Sequence, residues 1–168
     1  MPKIIINLEK RLLEEARQQI EKNGYSGMTM RSVAQGCGIG VGTVYNYFAS
    51  KDELLACYLL EDWKLCISAI QAVSAACDWA EPVLRCMYDQ LLTYAAQHSG
   101  IFQDKAAANV FADTRGQYHV LLRQQLASPL EKFCDDAFTA EFIAESVLCW
   151  SMAGKDFDSI LAVVKKLL

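Results

Sequence analysis

Residues 31–55 read RSVAQGCGIGVGTVYNYFASKDELL. Glycine stands at 36, 38, 40 and 42, and no charged side chain lies between Arg31 and Lys51. Three readings compete for such a stretch: a phosphate-cradling loop, a hydrophobic hairpin, or short helices joined by a turn. A dinucleotide loop needs G-x-G-x-x-G between a strand and a helix. From Gly36 or Gly38 the third position is Val41 or Thr43, and no strand pattern precedes it. A P-loop needs Gly-Lys followed by Ser or Thr, which the sequence lacks. The helical reading fits. Thr29 can cap a short helix from Met30 to about Gln35, with Met30, Val33 and Ala34 turned inward. Gly38 takes the left-handed turn and Ile39 plugs the space between helices. Gly40 caps a third helix from about Val41 to Phe48. Val44 and Phe48, spaced by four, supply its inward face. Gly42 near its start would let the backbone approach another surface closely, and Thr43, Tyr45, Asn46 and Tyr47 project outward. Surface helices usually carry charge. This one offers neutral hydrogen-bonding groups and rings, which suits contact with base edges and sugar–phosphate oxygens.

Outward from this stretch the chain reads as helix throughout. Asn7 is placed to cap a first helix of about 16 residues. Leu12, Leu13, Ala16 and Ile20 share one face of it, and Asn23–Gly24 stops it. Ser50–Lys51–Asp52–Glu53 is a capping box that opens a long fourth helix to about Ala75. A fifth helix begins near Asp78 and carries Val83, Met87, Leu91 and Tyr94. Residues 101–112 form a short helix or two, and Thr114–Ala127 is amphipathic, with Ser128–Pro129 as a kink or restart. Thr139–Met152 is a strongly apolar helix broken at Gly154, and Asp156 caps a last one. Strand alternation is nowhere convincing, so the fold class is all-α.

The 168 residues are 53% hydrophobic and 21% charged, enough to bury a core and unlike a disordered chain. Nothing resembles a signal peptide or a membrane span, and we expect a soluble, cytoplasmic protein. The net charge of −4 divides into +1 over residues 1–56 and −5 over the rest. An acidic chain binds nucleic acid only through a small local face. Seven cysteines include no CxxC pair, and no histidine stands at metal-ligand spacing from them. They read as buried, reduced thiols, with a thiol sensor as the sharper alternative. No metal and no cofactor is expected. No Ser/His/Asp set or supported carboxylate pair is visible, so the chain does not read as an enzyme.

The stretch Gly24–Leu55 resembles the helix-turn-helix signature of TetR-family transcriptional regulators. That pattern has a Gly, a hydrophobic residue and a Thr that opens helix two. An Ile/Val–Ala pair and A-G-V-S-x-G-T-L-Y-x-Y-F-x-S-K-E-x-L follow. The matches include Gly24, Tyr25, Thr29, Val33, Ala34, Gly38, Ile39, Gly42, Thr43, Val44, Tyr45, Tyr47, Phe48, Ser50, Lys51 and Leu54. Gly40 departs from the usual Ser or Asn cap, and Val41 stands where a polar or basic residue is common.

The resemblance implies an N-terminal helix-turn-helix DNA-binding domain over residues 1–50. A C-terminal helical bundle over 51–168 would bind an effector and dimerise. Helix three would lie in the major groove. Thr43, Asn46 and Tyr47 would meet bases or backbone, with Gly42 bare against the DNA. Tyr45 and Lys51 would bind phosphate, as would Thr29 and Arg31 at the start of helix two. An effector pocket would involve Trp63, Met87, Leu91, Tyr94, Phe102, Tyr118 and Trp150. The last two helices would pair with a second copy through Ile143, Val147, Trp150, Ile160, Leu161 and Val164. The implied partners are double-stranded DNA, a second copy of the chain and a small-molecule effector. The implied function is a ligand-responsive repressor on a pseudo-palindromic operator. The alternatives are an all-α ligand- or thiol-sensing protein, or a dimeric helical adaptor with little sequence-specific DNA binding.

Overall fold

The computed structural model describes residues 7–110 and 115–168, the side chains of 108–110 and 115–118 excepted. The described residues form α-helices, a 3-10 segment and no strand. They divide into two units. One holds the described residues of Met1–Asp62 and His98–Ala112, the other those of Trp63–Gln97 and Asp113–Leu168.

The first unit contains α1 (Leu8–Gly27), α2 (Met30–Gly36), α3 (Val41–Tyr45), the start of α4 (Lys51–Ala76), α6 (Ser99–Gln103) and α7 (Lys105–Val110). Leu8, Leu12, Ala16 and Ile20 are buried, as their spacing requires. The regular part of α1 ends where Gly24 turns to φ +71°. Asn7 stands at the helix entrance but does not cap it. Its backbone is left-handed, φ 61°, and its side chain makes no cap bond. Thr29 and Ser32 do form a reciprocal cap: each backbone amide donates to the other's hydroxyl at 3.0 Å. Gly38 has φ +69°, and the Ile39 amide closes the turn on Ala34 O at 3.0 Å. Beyond Tyr45 the amides of Tyr47 and Phe48 both reach Val44 O at 3.0 Å, so the third helix runs out in one further turn. Ser50 accepts from the Glu53 amide at 3.0 Å, and the Glu53 carboxylate returns to the amide of Ala49. Leu12, Val33, Val44, Phe48, Leu54, Leu55 and Tyr58 make one core with Ile101 and Ala107.

The expected division at residue 50 therefore differs from the packing. The first turns of α4 bury Leu54, Leu55, Tyr58 and Leu59 in the core of the head, and Ile101 and Ala107 join them. A helix start seen in sequence marks where hydrogen bonding resumes, not where one core ends.

The second unit holds the rest of α4, α5 (Ala80–Gln97), α8 (Arg115–Ala127), the 3-10 segment Ser128–Phe133, α9 (Ala137–Met152) and α10 (Phe157–Val164). Thr114, expected to begin the helix before Pro129, lies outside the described residues. Ile70, Val83, Leu84, Met87, Leu126, Leu130, Ile143 and Val147 are fully or almost fully buried in its core. Lys132 reaches the Cys77 carbonyl at 2.7 Å and the Ser74 carbonyl at the end of α4. Asp136 and Asp156 cap α9 and α10, accepting from the amides of Thr139 and Ser159 at 2.8 and 2.9 Å. Gly154, φ +78°, ends α9, with the Lys155 amide on Trp150 O at 2.9 Å. Among the described residues, no helix is long and apolar enough to cross a membrane.

Candidate nucleic-acid interface

The helix-turn-helix is held from behind by one face of α1. Arg11, Glu15 and Gln19 recur every four residues and point at α2. Arg11 donates to the Cys37 carbonyl at 3.2 Å. Gln19 donates to Glu15 at 2.8 Å and accepts from Ser32 Oγ at 2.6 Å. The Glu15 carboxylate lies where a Cβ on Gly36 would sit. These polar residues read from sequence as a solvated face. Their i, i+4, i+8 spacing was the available signal that they act together.

With α2 and the turn fixed, α3 turns Val44 inward, and Phe48 just beyond it is also buried. Tyr45 is 52% and Tyr47 44% exposed. Asn46 and Gly42 are exposed and Thr43 is half-buried. Among the described residues nothing lies within 4 Å of a Cβ placed on Gly42, so their packing does not demand glycine there. Thr29 and Arg31 are exposed at the start of α2, where the Thr29 hydroxyl is already engaged as the cap.

Lys51 is half-buried at the start of α4, its ammonium 4.0 Å from the centre of the Tyr25 ring. Burial pulls the Lys51 pKa below its ordinary value. The Tyr25 hydroxyl donates to Asp52, and burial together with that bond pushes its pKa up. The cation is thus set on a ring rather than free on a long stem. Asp104 accepts from the Ser26 amide at 3.2 Å and from the first amides of α7, with Ala106 at 2.8 Å.

Behind this surface the first unit buries a polar cluster. His98 is fully buried. Its Nε2 lies 3.1 Å from Asp62 and its Nδ1 3.1 Å from the Tyr58 hydroxyl. Arg17 bonds the other Asp62 oxygen and stands over the Tyr58 ring. Burial lowers the His98 pKa, Asp62 opposing, and raises that of Tyr58 to about 12.

Of the residues expected to line an effector pocket, Trp63, Met87, Leu91 and Tyr94 share one core. Trp63, Met87 and Leu91 are buried in the core of the second unit, and Tyr94 stands edge-on to Trp63 at 5.5 Å. The Trp63 indole donates to Gln125 at 2.6 Å. Phe102 belongs to the first unit. Trp150 is 57% exposed. The side chain of Tyr118 lies outside the described residues. The residues expected at a dimer interface fall mostly inside the protomer. Ile143, Val147, Ile160, Leu161 and Val164 are all covered by their own chain, which leaves Trp150 alone of the six exposed. Periodicity marks the apolar face of a helix but not which surface covers it. The exposed apolar side chains of α9 and the last residues are instead Phe138, Phe142, Met152, Val163, Leu167 and Leu168. The expectation of no metal ligands rested on spacing along the chain, yet the fold sets His119 beside Glu145 and Cys149.

A buried scaffold that presents an uncharged, aromatic third helix defines an all-α helix-turn-helix protein. Residues 12–57 match the family model described as bacterial regulatory proteins, tetR family. The regulator UidR of Escherichia coli K12 is 35% identical over 52 residues, 31% of this chain and 26% of its own length. The repressor KstR of Rhodococcus jostii is 38% identical over 55 residues, 33% of this chain and 26% of its own. The match thus spans about a quarter of the length of each of these two relatives. The solved Thermus thermophilus FadR, described as a repressor in complex with lauroyl-CoA, superposes with a TM-score of 0.63 at 18% identity. That match covers 95% of this chain and 92% of that one, and it shows the fold alone. The likeness to the tetR family of bacterial regulatory proteins thus rests on the head, residues 12–57.

Proposed function

We propose that the chain is a ligand-responsive transcriptional repressor that binds a pseudo-palindromic operator as a homodimer. The observation that carries this reading is the surface of α3. Tyr45, Asn46 and Tyr47 face solvent, while Val44 and Phe48 occupy the core. Tyr47, Thr43 and Asn46 would read bases or backbone, with Gly42 as the bare point of approach. Tyr45, Lys51, Thr29 and Arg31 would hold phosphates. One short helix reads few bases, so two copies would bind half-sites about 34–36 Å apart. Phe138, Phe142 and Leu167 line an open depression of about 210 Å³ in the second unit and would meet a second copy there. The effector would enter the second unit around Trp63, Met87, Leu91 and Tyr94, with Gln125 as a polar handle. Solved relatives of this fold, described in complex with lauroyl-CoA and stearoyl-CoA, suggest an acyl chain as the first ligand to try. A ligand that favours a DNA-incompetent arrangement would shift the population away from operator binding.

Selection from a random duplex library supplies the operator, and two variants then separate the roles. Lys51→Ala should weaken operator and random DNA alike and reduce the salt slope by about one. Tyr47→Ala should cost roughly 1–3 kcal/mol on the operator while leaving random DNA almost unchanged. Equal losses on both DNAs for both variants would remove the base-reading role.

A further inference from the structure

The second unit holds a side-chain cluster that DNA binding does not use. His119 comes from α8, and Glu145 and Cys149 from one face of α9, four residues apart. His119 Nε2 lies 3.4 Å from Glu145 Oε1. The Cys149 thiol donates to the same oxygen at 3.1 Å. One ligand atom from each of the three side chains lies within 4.8 Å of the others. The second carboxylate oxygen, Glu145 Oε2, is shut from solvent and receives no hydrogen bond from the described residues. His119 and Cys149 are exposed, so the cluster is open to a solute. The hydrogen bond to Glu145, more than burial, raises the Cys149 pKa.

We propose that His119, Glu145 and Cys149 form a binding site for a borderline-soft divalent cation of the zinc class. Calcium and magnesium take oxygen ligands, whereas one imidazole, one carboxylate and one thiolate suit zinc. Metal–ligand bonds of about 2.0–2.3 Å in a tetrahedral site put neighbouring ligand atoms roughly 3.5 Å apart. The observed 3.1 and 3.4 Å separations need little adjustment to meet that. Binding exchanges the thiol proton for the metal; the proton passes to solvent and no oxidation state changes. Three protein ligands leave a fourth position for water, the open arrangement of zinc sites that exchange ligands. One turn away on α8, Arg123 pairs with Glu141 at 3.5 Å, which offsets its charge. All three ligands come from one chain, so the site requires neither a second copy nor DNA.

The test is a titration of the whole reduced chain with Co²⁺ as the optical probe, followed by displacement with Zn²⁺. One equivalent per protomer should give four-coordinate visible bands and a thiolate-to-cobalt charge-transfer band. Cys149→Ser should abolish the charge-transfer band, and Cys134→Ser should retain it. His119→Ala and Glu145→Gln should weaken Zn²⁺ binding by at least the roughly 10- to 100-fold that losing an outer-shell partner costs. A cobalt spectrum without thiolate charge transfer would overturn the proposal. So would Zn²⁺ affinity unchanged in Cys149→Ser and His119→Ala, or a charge-transfer band lost in Cys134→Ser instead.

Discussion

Two glycines four residues apart, Gly38 and Gly42, make opposite demands. At Gly38 the backbone is left-handed, φ +69°, and nothing lies within 4 Å of an added Cβ. Gly38→Ala therefore meets no clash, and its whole cost is conformational, about 1–2 kcal/mol. At Gly42 the added Cβ again meets nothing, but the residue lies inside α3 with no positive φ. Gly42→Ala should stabilise the head by roughly 0.5–1 kcal/mol, because alanine loses less entropy in a helix. The same methyl would stand on the surface we assign to DNA and should weaken operator binding. Urea melts and DNA titrations of the two variants check both signs. A Gly42→Ala protein that is more stable and binds DNA unchanged would show that the bare patch does not face the duplex. The sequence already placed both glycines in these roles; only the built backbone shows that the chain itself has no need of the second.

At the scale of elements, α1, α4 and the entrance to α6 meet through Arg17, Asp62, Tyr58 and His98. Arg17, the Tyr58–Asp62 pair and His98 lie far apart in sequence with no motif among them, and gave no sign of this. Each is an ordinary surface residue type until folding buries it together with a partner. His98 supplies a test through linkage. Burial lowers its pKa below the ordinary 6.5, so in acid the unfolded chain takes up the proton before the folded one. Unfolding then binds protons, and stability falls as pH drops through about 6.5 until the folded pKa is passed. His98→Gln keeps a polar side chain and removes this titration. The gap between wild type and variant should therefore shrink on moving from neutral pH to about pH 5. Denaturation midpoints at several pH values measure it, and parallel pH profiles for the two proteins would exclude His98 as the titrating group.

At the scale of the molecule, the proposed dimer turns on which surface a second copy would cover. The five apolar residues of α9 and α10 with helical periodicity are spent on the protomer's own core. Phe138, 75% exposed, and Phe142, 49% exposed, stand 6.4 Å apart, centroid to centroid, beside Leu167. Phe142→Glu should leave the protomer folded, because its side chain faces out, and should yield monomers at micromolar concentration. Operator affinity should fall with it, since a lone head holds only one half-site. Sedimentation velocity reads the first outcome. A variant that sediments as the wild type does would place any dimer contact elsewhere.

The sequence by itself determined the helices, their stops and the orientation of the third one. Local rules suffice there: Thr29, Ser50 and Asp156 cap, Gly24, Gly38 and Gly154 turn, and Val44 with Phe48 picks the buried face. Every one of those signals acts across four residues or fewer. What only the tertiary structure decided is which faces are left over. The core claimed Ile143, Val147 and Ile160 and left Phe138 and Phe142 outside. It set His98 against Asp62, and it carried His119 to Glu145 and Cys149. The physical reason is that burial and long-range pairing depend on which surface covers a helix, and periodicity along one helix does not contain that information.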